Sequence, residues 1–167
     1  IRQAKLDEVK KDKMPKDSLG IWVFNHDEIY KFPKFKSYKI PEDNARWIAF
    51  LTEPAPAEKD TTEEKNVKKN VKQPGDDLVL FEVNTGDTLF FPNITDYFYA
   101  KDGASVYFIR QTKDTLNTFS DVYVFNTSTG EANQLFSSEG WAKKLTADKS
   151  GEKYAYLFSQ DTIDEKV

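Results

Sequence analysis

His26 is the only histidine in the chain, and there is no cysteine. Acid–base work near neutral pH, a Ser-His-Asp triad and an imidazole metal site would all fall to that one side chain. It stands in "FNHDEI", between two short apolar runs, where a surface turn is expected. The lack of cysteine removes disulfides, thiolate metal sites and thiol nucleophiles. The sequence holds no G-x-S-x-G elbow, P-loop, G-x-G-x-x-G or H-E-x-x-H. "DNARW" and "DGASV" look like fragments of calcium loops, but lack the spaced carboxylates and closing Glu of an EF-hand, and they read as turns. The carboxylates number 28, and no pair among them is set apart as a glycosidase pair would be. Asn93-Ile-Thr95 and Asn126-Thr-Ser128 are formal glycosylation sequons, read here as incidental. Trp22, Trp47 and Trp141 could serve as sugar platforms, but each lies in or beside an expected strand, so a core role is expected. No catalytic, cofactor-binding or metal-binding residue is therefore assigned, and no cofactor is expected.

The remaining signal is architectural. The chain has 167 residues and is 38% hydrophobic and 31% charged, with 13 Phe, 8 Tyr and 3 Trp. Such aromatic content favours strands, where flat rings pack on a pleated surface. A net charge of −4 argues against nucleic acid as a partner, because phosphate neutralisation needs a clustered basic surface. No apolar run approaches the roughly 20 residues of a membrane span. The first residue is Ile1 and the last stretch, "DTIDEKV", has no cap, so both ends read as cut from something longer.

Two phrases repeat. "DDLVLFEVNTGD" (Asp76 to Asp87) returns as "SDVYVFNTSTGE" (Ser120 to Glu131), a step of 44 positions from Asp77 to Asp121, and a weaker copy, "GIWVFNHDEI", lies near the start. A second phrase alternates with it: "YKIPEDNARWIAFL", "YFYAKDGASVYFIR" and "KKLTADKSGEKYAYLF". Each sets a polar turn before an aromatic burst, and Trp47–Phe50, Val106–Ile109 and Tyr154–Leu157 are matched as one slot. Asn and Gly supply the positive φ that tight turns need. With strands labelled a to d, the expected order is c–d (Ile21–Phe24, Ile29–Phe32), a–b–c–d (Ser37–Phe90), a–b–c–d (Ile94–Phe136) and a–b (Ala142–Phe158). That makes twelve strands.

The c strand Val-Tyr-Val-Phe does not alternate, which marks a strand covered on both faces. Four-stranded antiparallel units packed between two neighbours are the blades of a β-propeller, whose repeat is about 40–45 residues. A β-sandwich also uses short strands and frequent turns, but it would not repeat two phrases in alternation. The fold expected is all-β: a partial β-propeller of four-stranded antiparallel blades, about three blades' worth, over residues 19–167 after a charged lead-in at 1–18. The b–c connection Glu53 to Asp76 is a charged insertion with eleven charged residues, read as solvated with a short helix. The lead-in is read as a surface helix or connector. Closed propellers have about 4–8 blades, so uncovered edges and self-association through them are expected.

The phrases "PEDNARWIAFL", "AKDGASVYFIR" and "DKSGEKYAYLFSQDT" resemble the S-P-D-G-K-x-I-A-F unit of TolB-type propeller repeats. "DVYVFNTSTGEANQLF" is similar to the second half of that unit. With the lead-in "MPKDSLGIWVF", the strand pair "KSYKIPEDNARWIAFL" and the charged insertion, Met14 to Thr162 resembles the N-terminal propeller of bacterial prolyl oligopeptidase-family serine peptidases, including dipeptidyl-peptidase-like members. The resemblance implies a propeller that sits over a C-terminal hydrolase domain and filters peptide substrates by size. It implies that catalysis lies in that hydrolase domain, and it favours a periplasmic or secreted location. Dipeptidyl peptidases hold the substrate amine with a pair of Glu residues in the propeller. That role is not carried over to Glu63-Glu64, whose flanks do not match. Two other readings of such blades are a non-catalytic platform for protein interactions in the cell envelope and a glycan-binding propeller.

Overall fold

In the computed structural model, the residues described are 16–25, 27–43, 46–54, 73–114, 117–148 and 151–160. They form eleven strands and no helix: β1 (Ser18–Val23), β2 (Glu28–Pro33), β3 (Phe35–Lys39), β4 (Trp47–Thr52), β5 (Asp76–Glu82), β6 (Thr88–Tyr99), β7 (Ser105–Lys113), β8 (Thr118–Asn126), β9 (Glu131–Glu139), β10 (Trp141–Ala147) and β11 (Tyr154–Ser159). Each paired strand runs antiparallel to its neighbour in sequence. The helices expected in the lead-in and the insertion fall mostly on residues outside the described set.

One strand does the work of two. The first part of β6 pairs with β5, as Thr88↔Phe81 and Phe91↔Leu78. Its last part pairs with β7, as Asp96↔Ile109 and Tyr99↔Val106. The expected d and a strands thus run on without a break, so twelve expected strands become eleven. The physical reason lies in "PNIT": it lacks the pair of positive-φ residues that reverses a two-residue hairpin. Only Asn93 enters the left-handed region, at φ 62°, and it bends the chain from one partner to the next.

The sheets form four layers. Blade I is β1–β2, blade II is β3–β4–β5 with the start of β6, blade III is the end of β6 with β7–β8–β9, and blade IV is β10–β11. This is the expected order c–d, a–b–c–d, a–b–c–d, a–b. Successive residues of a strand point to opposite faces, so each central strand feeds two interfaces. On β5, Val79 and Phe81 pack with Ile21 and Val23 of blade I, while Leu78 and Leu80 pack with Val106 and Phe108 of blade III. On β7, Tyr107 and Ile109 turn the other way, to Ala142 and Leu145 of blade IV. Both faces are dry, which is why the c phrase reads as an unbroken apolar run.

Facing also corrects the slot alignment. Ile48 pairs with Phe81 and Val106 pairs with Phe125. The equivalent of Val106–Ile109 is therefore Ile48–Leu51, one residue beyond the sequence match to Trp47–Phe50. Trp47 is equivalent to Ser105.

The link between blades III and IV turns on Gly140. Its φ is 131°, and a Cβ there would lie 2.3 Å from the Ser159 carbonyl oxygen. Gly140→Ala is expected to cost about 2–4 kcal/mol, from backbone strain plus a clash that only blade displacement can relieve. Gly130→Ala, at φ 73° but in open space, is expected to cost about 1 kcal/mol. Urea unfolding of the two variants checks the ranking.

Candidate functional site

Three strands form the inner edge of the arc. β3, the end of β6, and β10 each have one strand partner, and their other edges meet no strand among the described residues. In a propeller such edges line the axis. Here they carry Lys36, Lys39 and Asp96. Lys36 pairs with Asp76 at 2.6 Å. The Lys39 ammonium donates to the Tyr97 carbonyl and lies 4.6 Å over the Tyr97 ring. The Asp96 carboxylate accepts the Leu145 N–H at 3.1 Å. The Lys39 contact ties blade II to III and the Asp96 contact blade III to IV, while Lys36–Asp76 lies within blade II. The inner edge is thus polar and mixed in sign, suited to hydrogen-bonding and ion pairing.

The c–d turns form a second polar cluster. Both close alike: the Gly86 N–H donates to the Glu82 carbonyl and the Gly130 N–H to the Asn126 carbonyl, each at 2.9 Å. The residue that opens each turn also caps it with its side chain. Asn126 accepts the N–H groups of Ser128 and Thr129, at 2.9 and 3.1 Å. Glu82, 2% exposed, accepts the Thr85 N–H, Arg46 Nε at 2.6 Å and Asn84 Nδ2 at 3.2 Å. Burial pushes the Glu82 carboxyl up. The bonds from Arg46, Thr85 and Asn84 outweigh it and hold the group at about 2. A carboxylate so committed stays ionised at neutral pH and cannot act as a general acid.

Further buried polar groups brace blades III and IV. Gln111 donates to Ser120 Oγ at 3.2 Å and to the Ala142 carbonyl at 2.8 Å. Ser120 donates to the Gly140 carbonyl at 2.8 Å and accepts the Ala142 N–H at 2.9 Å. Asp121 accepts both Arg110 Nη2, at 2.7 Å, and Ser137 Oγ, at 2.7 Å. Trp47 Nε1 donates to the Thr127 carbonyl at 2.9 Å, and Tyr99 donates to the Trp47 carbonyl at 2.7 Å. Burial pushes the Tyr99 hydroxyl well up, so it stays protonated. Gln111, Ser120, Trp47 and Tyr99 thus link one blade to the next, and Asp121 ties together the strands of blade III.

The residues named from sequence are scattered. His26, Asn44 and Glu63-Glu64 lie outside the described residues. Asp102 accepts the Ala104 N–H at 3.0 Å and shapes the a–b turn. Asn93 is at the bend of β6, and Asn126 caps its own turn. Trp47 is buried in the core, as expected, and Trp141 is half-buried. Trp22 is not a core residue: it is 54% exposed, and its Nε1 donates to Asp27 at 3.1 Å. Among the described residues no group of three or more His, Cys, Asp or Glu side chains is placed to hold a metal. Among the described residues there is no helix long and apolar enough to cross a membrane. Glu82, Gln111 and Ser120 went unnamed, yet "LVLFE", "YFIRQ" and "FSDVY" do carry a signal. A polar residue inside or closing a doubly covered strand must find a buried partner.

Antiparallel blades stacked face to face, joined outer strand to inner strand and braced at their turns, define an all-β chain that is part of a β-propeller. No protein-family model matches the chain, and comparison with curated proteins gives no match. Among solved structures it is similar to the Pyrococcus horikoshii acylaminoacyl peptidase, at 12% identity and a TM-score of 0.51, over 80% of this chain and 19% of that one. It is also similar to the β-propeller domain of the Trilobed protease from Pyrococcus furiosus, at 18% identity and a TM-score of 0.46, over 75% of this chain and 34% of that one. At such identities the likeness is one of fold, and the chain spans only a fraction of either protein.

Proposed function

We propose that this chain is part of the non-catalytic propeller of a prolyl oligopeptidase-family serine peptidase, where it gates or positions peptide substrates for a separate hydrolase domain. The observation that carries the reading is the blade stack itself, whose fold matches an acylaminoacyl peptidase over 80% of this chain. The polar groups described above are consistent with it, since they serve bracing and leave chemistry to another domain. The inner edge, with Lys36, Lys39 and Asp96, is the surface a passing peptide would meet. The test is the full-length product of the coding sequence, treated with a fluorophosphonate probe. One labelled serine, in a G-x-S-x-G elbow downstream of Val167, is the expected result. A product with no such elbow and no label would end this reading.

A further inference from the structure

The inner strands of blades II, III and IV share one irregularity. Residues on one face of a strand lie two apart, yet Ile94 and Tyr97, three apart in sequence, both pack toward blade II. Ala142 and Leu145, also three apart, both pack toward blade III. Phe35 and Tyr38 repeat the spacing, with ring centroids 6.1 Å apart. Each gap holds one residue more than a regular strand allows, and the register slips there. The slip falls at Lys36, at Thr95, and between Lys143 and Thr146, where Lys144 takes a φ of 59°. The doublets Lys36-Ser37, Thr95-Asp96 and Lys143-Lys144 are therefore β-bulges at one level of the blade stack. A bulge on an edge strand re-aims its side chains, and here that edge lines the axis.

Thr95 shows which way this level opens. Its blade lies between blades II and IV, whose inner strands β3 and β10 are both present, and Thr95 is exposed all the same. Lys36 and Lys143 hold the same place in their doublets and are exposed as well. The exposure follows from the bulge facing the axis and does not depend on what lies beyond either end layer.

The charges at this level are mixed in sign but uneven. The three inner strands carry Lys36, Lys39, Lys143 and Lys144 against the single carboxylate of Asp96, in a chain whose net charge is −4. Asp96 spends its carboxylate on the Leu145 N–H at 3.1 Å, and Asp76 of β5 meets Lys36 at 2.6 Å. Lys143 and Lys144 form no ion pair among the described residues. Positive charge gathered at the axis of an acidic chain focuses its field on anions. Ammonium groups and the Thr95 hydroxyl are also hydrogen-bond donors, which a carboxylate accepts. We infer that this level of the axis selects peptides that carry Asp or Glu side chains away from the bond to be cut. The inference rests on the reading of the chain as a propeller that positions peptides for a hydrolase domain, and it names the class of peptide.

Fluorogenic peptides test it on the full-length product of the coding sequence. The peptides share one length and the same residues around the scissile bond, and carry Glu, Gln or Lys at remote positions. At low salt, kcat/KM should be about tenfold higher for the Glu peptide than for the Lys peptide, the lower end of what a focused field gives. The Gln peptide should fall between them. The ratio should approach one in about 1 M salt, where the screening length is about 3 Å. Lys143→Gln with Lys144→Gln should shrink the low-salt ratio by about threefold, and Thr95→Lys, which adds a charge at the exposed place in blade III, should raise it. Both variants are checked for native circular dichroism. A ratio near one at low salt in the unaltered protein, or a ratio that neither variant moves, would overturn the inference and leave the peptidase reading standing. A product that cleaves none of the peptides would overturn that reading, and the inference with it.

Discussion

Phe108→Ala is expected to lower the unfolding free energy by about 3–5 kcal/mol, the range for removing a large buried ring from a packed core. Phe108 is 1% exposed and sits on β7, facing blade II. Its ring lies 4.8 Å from that of Phe91 and is stacked at 5.3 Å on that of Tyr123. Phe91 belongs to the part of β6 that serves blade II, and Tyr123 to blade III. The cavity would open at the interface that joins the two four-stranded blades among the described residues, with sheets on both sides that cannot readily collapse into it. Native domains have only about 5–15 kcal/mol to lose. Phe108→Leu keeps most of the volume and should cost about 1–1.5 kcal/mol. Phe24→Ala, at a side chain 78% exposed, should change monomer stability by no more than about 0.5 kcal/mol. Urea unfolding at low protein concentration gives all three values. A loss below 1 kcal/mol for Phe108→Ala would mean that blades II and III are not held by this interface.

The contrast between Phe108 and Phe24 shows where reading from sequence succeeds and where it stops. Both are phenylalanines in repeated phrases, and the phrases do yield the strand order and the two-faced burial of b and c. Exposure at the end layers is different. Trp22 and Phe24 look like core residues because their phrase is a core phrase, and only the three-dimensional order reveals that no described layer covers them. Matching by aromatic type also misled the slot alignment by one residue at Trp47. The quantity that matters there is the face, and Trp47 turns toward blade III while Val106 turns toward blade II. At the inner edge, Lys39 meets Tyr97 across 58 positions of sequence, and Gln111 meets Ala142 across 31. Each residue taken alone is an ordinary polar residue on or near a strand. The partner belongs to another blade, and local pattern carries no record of which blade packs on which.

Glu82 should make the fold acid-sensitive. In the unfolded chain its carboxyl titrates near the ordinary value of 4.5, and in the folded chain at about 2. The group therefore favours the ionised, folded state. Its contribution is fully present above about pH 5 and is lost as pH falls from about 4.5 to about 2, because the unfolded chain takes up the proton first. A difference of this size corresponds to about 3 kcal/mol. Burial alone would act in the opposite sense, so the effect rests on the donors: Arg46 Nε, the Thr85 N–H and Asn84 Nδ2. Glu82→Gln keeps the shape but presents an amide to donors that need an acceptor. At pH 7 it should cost about 2–3 kcal/mol, toward the lower end for a broken ion pair because Arg46 stays 46% exposed and solvated. Other carboxylates also titrate in acid, so the decisive quantity is the difference between the two proteins. Urea unfolding from pH 7 to pH 2.5 should show the two stability curves converging as pH falls below about 4.5. Curves that stay parallel through that window would mean Glu82 has the same proton affinity folded and unfolded, and that the turn is held by Gly86 and the backbone alone.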